Sequence, residues 1–318
     1  MIERTLFSVD HHAFRDSFAR FVDKEIAPHH AAWEEQGHVD REVWRKAGAN
    51  GFLCMTLPEV YGGAGADKLY SVAQMEVLSA GGCSGIGFGL HSEIVAPYIL
   101  RYGTEAQKTN YLPRLASGEM VGAIAMSEPG AGSDLQAVKT TALRQGDHYV
   151  LSGSKTFITN GWHADLICIV CRTGQEQGAK GLSLVVAENT GQGHSLPGFR
   201  RGRLLDKVGQ HTIDTCELFF EDLRVPCTNL LGPEEGQGFR QLMEQLPQER
   251  LIIAVGGVAT LERAVQETLA YVKERKVFGQ PLMQMQNTRF VLAECQTLTT
   301  VAKSFVDDCV GRALRHEL

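Results

Sequence analysis

Two short segments carry residue types that suit the binding of a planar, phosphate-bearing cofactor. The first runs from Ser127 to Asp134, and the second runs from Lys155 to Gly161. Glycine tolerates positive φ and close backbone approach, so Gly130 and Gly132 would let successive N–H groups converge on an anion such as a pyrophosphate. The two segments also supply hydroxyl groups and one flat aromatic face, from Ser127, Ser133, Thr159 and Phe157.

The first segment has two other interpretations. A Gly-Ala-Gly sequence is often only a turn. A dinucleotide-binding fingerprint needs a strand before it and a helix after it. Residues 138–143 and 148–151, which follow the segment, instead have the pattern of strands joined by a turn at 145–147. The sequence therefore argues against a Rossmann-type site.

The pattern of apolar residues changes twice along the chain. Apolar residues recur at helical spacing from residue 10 to about 118, at strand-like spacing from Met120 to about Leu230, and at helical spacing again after Gly236. The predicted fold class is therefore α+β. We expect an N-terminal helical domain at 1–118, a central antiparallel β-domain at 119–230 and a C-terminal helical domain at 231–318.

Composition excludes several classes of function. The chain has 318 residues, of which 43% are hydrophobic and 21% charged, as in ordinary globular proteins. A net charge of −6 argues against a nucleic-acid-binding surface. The longest apolar run, 251–261, is too short to span a bilayer, and the N-terminus lacks the apolar stretch of a signal peptide. The sequence predicts a cytoplasmic protein without stable membrane insertion, although a mature mitochondrial protein would look the same.

Cys168 and Cys171 have the spacing of a metal-binding pair. Both fall in a strand-like apolar run. Side chains three positions apart in a strand point to opposite faces, so these two thiols would not share one ion. No metal site is predicted.

Three motifs, in their order and spacing, resemble the acyl-CoA dehydrogenases. They are Ala125–Asp134, Lys155–Gly161 and Arg275–Gln280, and the resemblance runs from about residue 6 to the last residue. Ser84–Gly87 and Leu246–Leu251 resemble the long-chain branch in particular. The family has the same three-part layout and continues with further helices, so the resemblance implies that the C-terminal helical domain is incomplete here.

The resemblance implies FAD as the cofactor. The first motif would hold the flavin and its pyrophosphate through Ile124, Ala125, Met126, Ser127, Glu128, Pro129, Gly130, Ala131, Gly132 and Ser133. Three residues would lie against the flavin ring: Phe157, Ile158 and Thr159. Three more would reach the FAD of a neighbouring subunit: Arg275, Phe278 and Gln286. An arginine suits a pyrophosphate, although Arg275 also fits an exposed helix end.

This cofactor arrangement implies a homo-oligomer. The resemblance predicts a homotetramer, or a dimer if the incomplete C-terminal domain disrupts the tetramer.

The reaction of the family removes an α-proton and a β-hydride from an acyl-CoA thioester. The proton acceptor is a carboxylate in a dry site that raises its pKa. The resemblance places this base at Glu249, and the other position used by the family lies beyond residue 318. The residues implied to bind acyl-CoA are Ser133, Ala179, Lys180, Pro247, Gln248, Glu249 and Arg250.

Some of these residues have simpler interpretations. Pro247 is typical of the first turn of a helix, where an acidic residue such as Glu249 complements the helix dipole. Lys180 suits nucleotide phosphates but equally fits a solvated loop. Arg250 fits a surface ion pair as well as an active site.

The sequence thus predicts an acyl-CoA dehydrogenase of fatty-acid β-oxidation. It would convert a long-chain acyl-CoA to the trans-2-enoyl-CoA and pass electrons to an electron-transfer flavoprotein. Two alternatives stay open. One is a flavin oxidase or monooxygenase with the same fold, and the other is a truncated, catalytically inactive subunit.

Overall fold

The structure is a computed structural model that describes residues 4–83, 85–189 and 196–318. Ser84 of the Ser84–Gly87 motif therefore lies outside the described residues. Helices come first along the chain, a β-sheet follows, and helices return at the end. The predicted α+β class is confirmed, while the three domain boundaries stay a prediction.

The helices of the first half are short and those of the second half are long. They are α1 Val9–Phe21, α2 Ala27–Gln36, α3 Arg41–Ala49, α4 Lys68–Ala80, α5 Phe88–Leu90, α6 Ala96–Tyr102, α7 Glu105–Ala116, α8 Gly238–Glu274 and α9 Gln286–Leu314. Thr104 and Gln107 form a capping box at the start of helix α7. Within the described ranges, no helix has both the length and the apolar character needed to cross a membrane.

The strands form a 7-stranded sheet and a small hairpin. The sheet comprises β1 Gly122–Ala125, β2 Thr141–Gln145, β3 His148–Thr159, β4 Leu166–Arg172, β5 Leu182–Glu188, β6 Phe199–Leu204 and β7 Thr215–Pro226, and the hairpin comprises β8 Lys276–Val277 and β9 Gln280–Pro281. The strand order is β1-β4-β2-β3-β7-β6, with β5 on β4. Pairing is mainly antiparallel, but β4 lies between β1 and β2 and is parallel to both.

The chain divides into two compact units. The first unit comprises Met1–Ala27, Lys68–Ser84 and Pro247–Leu318, and the second comprises Pro28–Asp67 and Gly85–Leu246. The first unit is helical, and its core includes Leu69, Val72, Ile252, Val255 and Val310. The second unit contains the sheet, whose core is built by alternating apolar residues of β3, β4, β5 and β7.

Two histidines of the second unit, the buried His91 and the half-buried His163, are held in the neutral form. His91 Nδ1 accepts a hydrogen bond from Gly122 N at 3.0 Å, and its Nε2 donates to Leu115 O at 3.0 Å. His163 Nε2 donates to Val39 O at 2.7 Å. Burial lowers the pKa of each imidazole to about 4.

Stability should therefore fall as the pH falls from about 6.5 to 4. Over that range the unfolded chain binds a proton at His91 that the native state lacks, worth about 1.4 kcal/mol per pH unit. Asp214 acts in the opposite sense, because burial raises its pKa to about 6 and the native state then binds the extra proton. Because the two histidines lower the free energy of unfolding at low pH and only one carboxyl raises it, the net effect should be a loss of stability.

His91→Gln isolates one of these contributions. An amide can also donate and accept, so the variant should fold, but it cannot be protonated. Between pH 6.5 and 4.5 its free energy of unfolding, measured with urea, should fall by about 2 kcal/mol less than that of the wild type. His12→Gln, on the exposed side of α1, is the control and should follow the wild type. Parallel curves for all three proteins would contradict the assignment.

Candidate functional site

The first glycine-rich segment is a closed loop that follows β1 directly. Glu128 N donates to Ala131 O at 2.8 Å, and Ala131 N donates to Glu128 O at 3.1 Å. Thr156 N of β3 donates to Ser127 O at 3.0 Å, which ties the loop to the second segment. The residues of this motif fall into three burial classes. Ile124, Ala125, Glu128 and Ala131 are buried, Met126 and Ser127 are half-buried, and Pro129, Gly130, Gly132 and Ser133 are exposed.

The two glycines of this loop do not adopt the backbone conformation that the sequence suggests. Neither Gly130 nor Gly132 adopts a positive φ, so the left-handed turn allowed by these residues does not form. A Cβ atom at either position would meet no atom within 4 Å. In the described chain, the N–H groups of Gly130, Gly132 and Ser133 donate no hydrogen bond. Open space beside free N–H donors fits the binding of an anionic phosphate.

A buried ion pair supports the loop from inside the second unit. Lys155 Nζ donates to Glu128 Oε1 and to Met126 O, both at 2.9 Å. The carboxylate also accepts from Lys139 N at 2.7 Å and Thr140 N at 2.9 Å. Burial favours a raised pKa for Glu128, but the Lys155 charge and these hydrogen bonds together hold the pKa below its usual value. The Glu128 side chain is thus committed to the protein interior.

The second segment ends a long strand instead of forming a loop. β3 has a register shift against β7 between Lys155 and Ile158, which places a bulge at Phe157. Phe157 has φ of +59° and its side chain is 69% exposed. A left-handed backbone is costly for a phenylalanine, and such strain is found at functional sites. The bulge therefore holds an aromatic face out of the core.

The residues after Phe157 anchor this bulge. Ile158 is buried, and Thr159 is half-buried. Asn160 is buried with φ of +62°, and its Nδ2 donates to Gly87 O at 3.0 Å and Gly122 O at 3.2 Å. A Cβ at Gly87 would lie 1.8 Å from Asn160 Oδ1, so only glycine allows this approach.

Two further predicted residues lie in a short 3-10 turn, Gly178–Gly181, also in the second unit. Ala179 is half-buried and the Lys180 side chain is exposed. Exposure leaves Lys180 free to meet a charged ligand, and it equally fits the solvated alternative.

Glu249 lies inside α8, in the first unit. The sequence suggests a helix start near Pro247, but α8 begins at Gly238 and continues through the proline. The helix-dipole interpretation of Glu249 is therefore wrong, since the dipole acts only within the first turn. Glu249 is 6% exposed. Of its neighbours, Pro247 and Arg250 are exposed. Gln248 is half-buried, and its side-chain oxygen accepts a hydrogen bond from Lys68 Nζ at 2.8 Å.

The residues predicted to reach a second subunit lie near the β8–β9 hairpin of the first unit. Phe278 and Gly279 have φ of +51° and +79°, as in a two-residue hairpin turn, and Phe278 is 97% exposed. Arg275 follows α8 and Gln286 begins α9, and both are exposed. The sequence motif Arg275–Gln280 contains Arg275 and Phe278, but it does not predict the hairpin that presents Phe278.

The two units carry different parts of the predicted site. The second unit contains the two glycine-rich segments together with Ala179 and Lys180. The first unit contains the residues from Pro247 to Arg250 and those around the hairpin. The sequence did not predict that Asn160 anchors the bulge, or that the Arg172 guanidinium donates to the backbone oxygens of Val138 and Gly178. The one signal for Arg172 is its position, a charge that ends a buried apolar strand.

Comparisons with known proteins agree across the whole chain. Family models described as the N-terminal, middle and C-terminal domains of acyl-CoA dehydrogenase match residues 8–119, 123–223 and 236–318. The mitochondrial long-chain specific acyl-CoA dehydrogenase of Mus musculus is 47% identical over 96% of this chain and 70% of its own length. The mitochondrial isovaleryl-CoA dehydrogenase of Oryza sativa is 37% identical over 95% of this chain and 73% of its own length.

Solved structures share the fold. An acyl-CoA dehydrogenase from Geobacillus kaustophilus has a TM-score of 0.95 and 46% identity, over 99% of this chain and 82% of its own. A structure described as the electron transferring flavoprotein of Acidaminococcus fermentans has a TM-score of 0.90 and 36% identity, over 99% of this chain and 82% of its own. An acyl-CoA dehydrogenase complexed with FAD, from Bacillus anthracis, has a TM-score of 0.90 and 32% identity, over 99% of this chain and 53% of its own.

Proposed function

The chain belongs to the acyl-CoA dehydrogenase family, and from this premise we propose that it oxidises a long-chain acyl-CoA to the trans-2-enoyl-CoA with FAD. The 47% identity to a long-chain enzyme supports the substrate class. The observation that carries the proposal is that one chain contains both parts of such a site: the second unit has an open, phosphate-type loop and an exposed Phe157, and the first unit has a buried carboxylate at Glu249. We further propose an electron-transfer flavoprotein as the electron acceptor.

The second unit would hold the cofactor. The free N–H groups of Gly130, Gly132 and Ser133 donate to its phosphates, and Phe157 offers a flat face to its ring. The hydroxyls of Ser127 and Thr159 supply further donors. Bound FAD supplies the acceptor for the β-hydride.

Glu249 is the proposed base. Its carboxylate accepts the α-proton of the thioester, which leaves the electrons of the broken C–H bond for the new double bond. The Glu249 side chain is nearly buried, so this proton transfer would take place away from bulk water. Exposed Lys180 is proposed to meet the phosphates of the CoA moiety.

Anaerobic mixing of the FAD-loaded protein with palmitoyl-CoA tests this function. The flavin absorbance should bleach, and the product should be lighter by two hydrogen atoms in a mass spectrum. Butyryl-CoA, the short-chain control, should bleach the flavin more slowly. Reoxidation by an electron-transfer flavoprotein, and not by oxygen, is expected. Rapid reoxidation by oxygen would indicate the oxidase alternative, and no bleaching with any acyl-CoA would indicate an inactive subunit.

We also propose that FAD retention requires a homo-oligomer. Arg275, Phe278 and Gln286 are exposed in the single chain, and α9 leaves Leu298 and Phe305 more than 60% exposed. Arg275→Met should lower the FAD content per chain, because the cation that pairs with a phosphate is lost. Arg289→Met, three residues into the exposed side of α9, is the control.

Light scattering combined with flavin absorbance measures both quantities. A tetramer or dimer with FAD is the expected state. A monomer that holds one FAD per chain would contradict the proposal. The cytoplasmic localisation, with a mature mitochondrial protein as the alternative, stays a prediction.

A further inference from the structure

In the described part of the chain, the guanidinium of Arg172, the last residue of β4, donates only to backbone carbonyl groups. Its Nε donates to Val138 O at 2.7 Å, and its Nη2 donates to Gln136 O. Its Nη1 donates to Glu176 O at 3.2 Å and to Gly178 O at 3.5 Å. One guanidinium thus links two separate segments of the second unit, and the planar five-donor fork of arginine is the only side chain that can serve so many carbonyls at once.

The two linked segments adjoin residues predicted to bind acyl-CoA. One is the 3-10 turn Leu135–Ala137, which follows Ser133 after a single residue. The other is the turn Gly178–Gly181, which contains Ala179 and Lys180. Arg172 is placed so that its hydrogen bonds fix one turn relative to the other.

The packing around this guanidinium leaves no room for a side chain at Gly181 and little at Gly178. A Cβ at Gly181 would lie 2.1 Å from Glu176 O and 2.7 Å from Arg172 Nη1. A Cβ at Gly178, where φ is +67°, would lie 3.2 Å from Gln136 Oε1. The turn therefore lies close against Arg172, and glycine at position 181 permits this approach.

The charge of Arg172 is not neutralised by an acid. Among residues 4–83, 85–189 and 196–318, no carboxylate lies within ion-pair distance of its guanidinium. Carbonyl dipoles stabilise the cation but leave its positive charge in place. Together with the exposed ammonium of Lys180, this charge favours an anionic ligand at the turn.

We propose that Arg172 is a positioning residue that holds the Gly178–Gly181 turn in the conformation that binds the phosphate-bearing part of acyl-CoA. The inference rests on the proposed function, because it takes acyl-CoA as the substrate. Arg172 acts by holding the turn and through the electrostatic field of its positive charge, while Lys180 contacts the phosphates.

Calorimetric binding of CoA to the FAD-loaded protein tests the inference. Arg172→Met keeps the length of the side chain and removes the charge and the donors, so the Kd for CoA should rise about tenfold. Arg172→Lys restores the charge but not the fork, and should recover only part of the affinity. Arg203→Met, on the exposed side of β6, is the matched control and should bind CoA as the wild type does.

A substrate without phosphates separates positioning from a general loss of structure. For Arg172→Met, the KM for palmitoyl-CoA should rise about tenfold while its kcat stays within about twofold of the wild type. The KM for the corresponding acyl-pantetheine, which lacks the phosphates of CoA, should change less than about twofold, and the FAD content should be unchanged.

Three results would overturn the inference. Unchanged CoA affinity in Arg172→Met and Arg172→Lys would show that the turn does not depend on this residue. Equal losses for CoA and acyl-pantetheine, or loss of FAD from Arg172→Lys, would show a general structural role. A wild-type protein that binds no CoA would overturn the proposed function and this inference with it, whereas wild-type binding with unaltered variants overturns the inference alone.

Discussion

Glu249→Gln is expected to slow flavin reduction by an acyl-CoA by about 10²- to 10⁴-fold, the usual contribution of a positioned general base. The amide has nearly the same size as the carboxyl group and still donates and accepts hydrogen bonds, so FAD and acyl-CoA should still bind. It cannot accept the α-proton, and without that transfer the β-hydride does not leave.

Anaerobic stopped-flow measurement of flavin bleaching gives this rate directly. Glu267→Gln is the matched control, since its carboxylate lies on the same helix, 63% exposed at the side chain, and pairs only with Arg263. That variant should reduce its flavin at the wild-type rate. If Glu249→Gln also does so, Glu249 is not the base. If it loses FAD or CoA binding, its effect is structural and the assignment fails for a different reason.

The fold could be predicted where local signals decide the structure. The capping box at Thr104 fixes the start of α7 by hydrogen bonds to neighbouring residues. The continuity of α8 could not be predicted, because a proline inside a helix removes one hydrogen bond and usually marks an end. Burial of Leu242 before Pro247 and of Ile252 and Val255 after it stabilises the helix on both sides. That packing is invisible in a single sequence.

The geometry of the candidate site could likewise be predicted only in part from the sequence. Small residues and hydroxyls in the Ser127–Asp134 segment indicate a ligand loop by their types alone. The support of that loop by Lys155 could not be predicted, since Lys155 and Glu128 are 27 positions apart and meet only when β3 is in place. The bulge at Phe157 likewise depends on the register of β3 against β7. Long-range pairing, not residue type, sets the geometry of this site.

Lys155→Met should destabilise the protein by about 3–5 kcal/mol, because it leaves the Glu128 carboxylate buried without its partner. The midpoint of urea unfolding should fall accordingly. The variant should also hold FAD less tightly, since Lys155 fixes both Met126 and Glu128 of the loop. Lys139→Met removes an exposed ammonium from the same unit and should change stability by less than about 0.5 kcal/mol.

The pH dependence of the stability loss in Lys155→Met identifies its cause. In the wild type the Lys155 charge helps to hold the pKa of Glu128 low. In Lys155→Met only the hydrogen bonds from Lys139 N and Thr140 N would oppose the effect of burial, so we expect the pKa to rise. A carboxyl with a raised native pKa loses stability as the pH rises through that value, so the deficit relative to the wild type should be smaller at pH 5 than at pH 7.5. A double variant, Glu128→Gln with Lys155→Met, removes both charges and should recover part of the lost stability at pH 7.5. A deficit that is the same at both pH values, with no recovery in the double variant, would mean that Lys155 contributes through packing and that the ion pair does not support the loop.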